Sequence, residues 1–103
     1  MTYQAKFLNI DDIVAIRELA LTAHRYGAVY VSVYDSEGFV EKVACTPSTL
    51  LEAIDGLDID VSLKFRDAAG KKLGWVDLVL GNGDNTTIAD WGVNDWTEKV
   101  CNF

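Results

Sequence analysis

From Ile59 to Arg66 the chain alternates without a break, setting Ile59, Val61, Leu63 and Phe65 against Asp60, Ser62, Lys64 and Arg66. A period of two puts one set on each face of a strand, so this segment predicts a strand with one buried and one wet face. The turn "DAAGK" leads into "LGWVDLVL", where Val76, Leu78 and Leu80 continue the buried face and Trp75 and Asp77 the open one. The two runs predict a hairpin. An earlier pair has the same form. In "AVYVSVY", Val29, Val31 and Val33 alternate with Tyr30, Ser32 and Tyr34, and after the turn "DSEG" the run "FVEKVAC" can pair back.

A different period precedes each hairpin. Ile13, Ile16, Ala20 and Ala23 recur at helical spacing behind Asp11 and Asp12, either of which can accept the free amides of a first turn. Gly27 follows, suited to a left-handed closing residue, and a helix from about Asp12 to Tyr26 is predicted. Thr46 and Pro47 read as an N-cap and a first helical position, opening a short helix, Pro47 to Asp55, that closes at Gly56. Helix, hairpin, helix, hairpin predicts an α+β domain: an antiparallel sheet of four or five strands with two or three helices on one face. If Tyr3–Leu8 adds a strand, the order β-α-β-β-α-β would also suit a ferredoxin-like arrangement.

At 103 residues there is room for one core, and residues 1–103 are read as a single domain. Half of the residues are hydrophobic and Pro occurs once, which argues against disorder. No apolar run is long enough to span a membrane, and "MTYQAKFLNIDD" has no basic segment leading into an apolar one, so a cytoplasmic protein is expected, without a membrane partner. That expectation makes the acceptor-like Asn85-Thr86-Thr87 idle. Cys45 and Cys101 are read as reduced, buried thiols.

The net charge of −7 is unevenly placed. No Lys or Arg occurs from Leu73 to Glu98, while Asp77, Asp84, Asp90, Asp95 and Glu98 all carry negative charge. A second base-free run, Glu52 to Asp60, holds Glu52, Asp55, Asp58 and Asp60. Such regions repel nucleic acid and steer a basic protein surface towards them.

The stretch "IADWGVNDWTEK" repeats Asp-Trp. On one helix Trp91 and Trp96 would stand roughly 140° apart, so a break between them is expected, at Gly92. Asn94 or Asp95 then caps a last helix whose Trp96, Val100 and Phe103 form a docking stripe. Trp91, in a loop or short strand, is either a lid on the core edge or an exposed anchor ringed by Asp84, Asp90 and Asp95.

Catalytic signatures are weak. His24, Cys45 and Cys101 lack the spacing of a zinc site, and "GNGDN" lacks the alternating acids and terminal Glu of a calcium loop. Neither metal nor cofactor is expected. Cys45 with His24 is the one nucleophile–base pairing on offer, but His24 reads better as a surface residue at a helix C-terminus. The chain is read as non-enzymatic.

Two binding surfaces remain. Asp84, Asp90, Trp91 and Asp95, with Glu52, Asp55, Asp58 and Asp60, suit a basic host protein or nucleoprotein complex, with no direct nucleic acid contact. The alternative is a nucleic-acid or small-ligand face on the open side of the sheet, where Tyr30, Tyr34 and Trp75 would meet Lys64 and Arg66. Open hairpin edges leave monomer and homodimer both available.

The α+β plan, the acidity and the tail "GNGDNTTIADWGVNDWTEKV" together resemble the small acidic accessory proteins of phages and mobile elements, of the anti-CRISPR inhibitor kind. The resemblance is one of style over the whole chain and carries over no residue roles. It implies a stoichiometric inhibitor in a bacterial host cytoplasm whose carboxylates occupy a basic nucleic-acid channel.

Overall fold

Asn9 starts the first helix. Its side chain accepts from the Asp12 amide at 2.9 Å, and the Asp12 carboxylate accepts from the Asn9 amide at 3.1 Å. This reciprocal capping box satisfies two amides that a helix start leaves unpaired. Helix α1 therefore runs Ile10–Arg25, and Asp12 is its third residue, not its cap as expected from Asp11 or Asp12. A single cap at either Asp satisfies fewer amides than the box does. The buried stripe is Ile16, Leu19, Ala20 and Ala23, with Ile13 packed at its margin. Gly27, at φ +99°, turns the chain out of the helix in a conformation that side chains disfavour.

The computed structural model describes residues 8–57, 60–80 and the backbone of 88–91. After α1 come strands β1 (Tyr30–Asp35) and β2 (Gly38–Ala44), helix α2 (Pro47–Ile54), strands β3 (Asp60–Arg66) and β4 (Lys72–Val79), and a short strand β5 (Ile88–Trp91). The chain has an α+β fold. Two antiparallel hairpins join through β1 and β3, so the sheet order is β2-β1-β3-β4, with β5 beyond β4. A ferredoxin-like order would interleave an N-terminal strand between β2 and β3. That arrangement does not hold, because β1 bonds directly to both.

Thr46 caps α2 as expected, its hydroxyl accepting from the Thr49 amide at 3.3 Å, and Pro47 opens the helix. Both helices pack on one face of the sheet. There Leu50, Leu51 and Ile54 of α2 and the α1 stripe meet Val31, Val33, Val61, Leu63, Phe65, Val76 and Leu78 in one core. Among the described residues no helix is long and apolar enough to cross a membrane.

The expected strand over Tyr3–Leu8 lies outside the described residues apart from Leu8, which is buried. The expected break at Gly92, the final helix and Cys101 also lie outside them.

Candidate functional site

Because Val31, Val33, Val61, Leu63 and Phe65 turn towards the helices, the residues between them turn away. Register then sets who meets whom. Tyr30 is opposite Arg66, Ser32 opposite Lys64, Tyr34 opposite Ser62, and Lys64 in turn opposite Trp75. The structure thus gathers Tyr30, Tyr34, Lys64, Arg66 and Trp75 on the face away from α1 and α2, as their alternation implied.

Two further residues join them. Lys42 of β2 lies opposite Ser32, which follows from alternation once the hairpin is paired. Phe39 does not follow. Being three positions from Lys42, it would lie on the other face of a regular strand. A β-bulge at Val33/Tyr34 makes one extra residue on β2, so Tyr34 pairs with Phe39 while Val33 pairs with Glu41. Phe39 is thereby brought edge-on to the Tyr34 ring, centroids 5.6 Å apart and planes at 70°, and stays 61% exposed.

At the centre sits Ser32, a small side chain that is only 6% exposed. Its cross-strand neighbours are Lys42 and Lys64, and its same-face neighbours along β1 are Tyr30 and Tyr34. Each Lys leans towards a different Tyr: Lys42 Nζ lies 4.7 Å from the Tyr30 ring centroid, and Lys64 Nζ lies 4.7 Å from that of Tyr34. Ser32 is thus enclosed by alternating ammonium groups and aromatic rings. A cation over a partly exposed ring is worth about 0.5–1 kcal/mol, enough to orient these side chains and little enough to be exchanged.

The margins of the face differ in charge. At one end Arg66 donates from Nη1 to the Gly70 carbonyl at 3.1 Å, which ties its guanidinium to the β3–β4 turn. That turn is held by Asp67, whose carboxylate accepts from the amides of Ala69 and Lys71 at 2.9 and 2.8 Å. On the β4 side Asp77 accepts from the Ser62 hydroxyl at 2.6 Å. The cations Lys42, Lys64 and Arg66 therefore stand on β2 and β3, and the carboxylate of Asp77 on β4.

No protein-family model, curated protein or solved structure matches this chain.

The acidic residues are distributed differently. Glu52 is exposed on α2, and Asp55 is the half-buried C-cap of that helix. Asp60 is exposed at the start of β3, next to the fully buried Val61, and so alternates to the face away from the helices. The run Glu52–Asp60 is therefore divided between the two sides of the sheet. Asp90 and Trp91 belong to β5, with Asp90 in register with Asp77 and Trp91 with Val76. Asp58, Asp84 and Asp95 lie outside the described residues. One pairing was not foreseen: Glu41 of β2 and Glu52 of α2 line a shared open cleft of about 380 Å³ with Val43, Ala44, Thr49 and Ala53.

Cys45 is a core residue. Its thiol donates to the Ala20 carbonyl at 3.5 Å, and it is nearly inaccessible. Burial pushes the thiol up to about 11, whereas a nucleophilic Cys needs its thiolate favoured near neutrality. His24 is exposed in the last turn of α1, where its cationic form suits the helix dipole. Among the described residues no cluster of His, Cys, Asp and Glu has the geometry to hold a metal ion.

Proposed function

We propose that this protein is a non-enzymatic binding module whose recognition surface is the face of the sheet turned away from the helices. The observation that carries the reading is the enclosure of Ser32 by Tyr30, Lys42, Tyr34 and Lys64, flanked by Phe39, Arg66 and Trp75. Folding requires one face of the sheet to be apolar, and the helices already use it. Aromatic rings on the other face add nothing to that core. Rings and guanidinium groups set among exchangeable contacts are the side chains from which binding hot spots are built.

A second reading places the interaction on carboxylates, in the manner of a stoichiometric inhibitor that occupies a basic host protein in the bacterial cytoplasm. It is favoured by the shared cleft of Glu41 and Glu52 and by the base-free run from Leu73 to Glu98. Capture of binding partners from host lysate by three purified forms separates the two. The combined variant Tyr30→Ser, Tyr34→Ser and Lys64→Ser should lose capture at least tenfold, while Glu41→Gln with Glu52→Gln, and Asp84→Ala with Asp90→Ala and Asp95→Ala, should retain it. Loss confined to the carboxylate variants would replace the first reading with the second.

A further inference from the structure

Resting on that reading of the sheet face, we infer that its partner is single-stranded nucleic acid, with bases stacked on Tyr30 and Tyr34 and phosphates held by Lys42, Lys64 and Arg66. Net charge argues the other way, so the local arrangement has to outweigh it. Nearest Ser32 the charged groups of the face are the two ammonium groups; the Arg66 guanidinium stands one cross-strand row to one side, and the Asp77 carboxylate, which accepts from the Ser62 hydroxyl, one row to the other, with Asp60 a further row along β3. Glu41 and Glu52 lie on the helix side of the sheet. Glu41, opposite the buried Val33, turns to the helix side of β2, and Glu52 stands on α2, so neither carboxylate lies on the open face.

The Lys–Tyr pairs supply the mechanism. A base stacked on an exposed ring is bound more strongly than an ammonium in the same position, and an ammonium displaced from the ring is free to meet a phosphate. Each pair can therefore open into one stacked base and one phosphate contact. Ser32, small and covered by these side chains, does not itself hold the rings and cations apart, so they can part to admit a base and a phosphate above it. A duplex has its bases stacked internally and offers no ring to Tyr30 or Tyr34, which predicts a preference for single strands. An acidic peptide would satisfy the cations but leave the rings unused.

Fluorescence anisotropy with a labelled 20-mer of dT tests this on the full chain. Binding should weaken with salt with a log–log slope of about −2, three phosphate contacts at roughly 0.7 each. Tyr30→Ala with Tyr34→Ala should weaken binding at least tenfold, and Tyr30→Phe with Tyr34→Phe, which keeps both rings, should restore it to within about threefold. Unchanged thermal midpoints exclude unfolding as the cause. Failure of the wild type to bind the 20-mer at any salt overturns the inference. Displacement of the 20-mer by poly-glutamate as effectively as by unlabelled dT also overturns it, in favour of an acidic peptide. If dT fails while the Tyr30, Tyr34 and Lys64 variant still loses lysate capture, the nucleic-acid partner is wrong and the recognition face stands; if that variant also captures normally, both fall.

Discussion

The two faces of one strand, β3, obey different rules. Val61, Leu63 and Phe65 are fully buried against the helices, and each could be exchanged for another apolar residue of like volume. Between them Ser62, Lys64 and Arg66 make individual contacts, to Asp77, to the Tyr34 ring and to the Gly70 carbonyl. The covered face is held by volume and the open face by chemistry. Packing volume alone does not call for rings and cations on the second face, and that difference is the reason to look for a partner there.

Adjacent substitutions should break the symmetry between the faces most sharply. Phe65→Ala should cost about 3–5 kcal/mol in urea unfolding, because it removes a large side chain from a packed core. Lys64→Ala, one residue away, should cost less than about 1 kcal/mol. Comparable losses at the two positions would mean that the second face is a core as well, leaving no recognition surface.

On the covered side Cys45 provides a pH signature. Burial pushes its thiol from the ordinary 9.0 up to about 11 in the folded state. The folded state thus keeps its proton longer, so the contribution is fully present below pH 9 and is lost as pH rises from 9 to 11. Two units correspond to about 2–3 kcal/mol at most. The stability of the wild type relative to Cys45→Ala should fall across that window and stay level below it. A flat difference would place the thiol in contact with water.

Smaller effects belong to the margins. Asn9→Ala should cost about 1 kcal/mol by removing half of the capping box at the start of α1, seen as a lower thermal midpoint. A double-mutant cycle on Lys42 and Tyr30 should return a coupling of about 0.5–1 kcal/mol, falling towards zero when the ring is occupied by a ligand.

Much of this was legible in the sequence, and for uneven reasons. The alternation in "IDVSLKFRD" and "VYVSVY" assigned residues to faces directly, and Thr46-Pro47 marked the start of α2, because these signals are local. Strand order is not local: the sequence is compatible with a ferredoxin-like order, and only the pairing of β1 with β3 excludes it. Asn9 does not stand out as the cap in the sequence because Asp11 and Asp12 are equally good acceptors, and only the reciprocal geometry distinguishes them. The place of Phe39 on the open face is not legible in the sequence, because a bulge leaves no mark in a run such as "FVEKVAC". The acidic stretch Glu52–Asp60 looked continuous in the chain, yet it spans the end of a helix and the start of a strand and is divided by the sheet.

The most direct test of the recognition face is a titration of the ¹⁵N-labelled protein with unlabelled dT 20-mer, followed by amide chemical shifts. Shifts should concentrate at Tyr30, Ser32, Tyr34, Phe39, Lys42, Lys64, Arg66 and Trp75, with the amides of α1 and α2 unmoved. Shifts centred instead on α2, with Tyr30, Tyr34, Lys64 and Trp75 unmoved, would contradict the account.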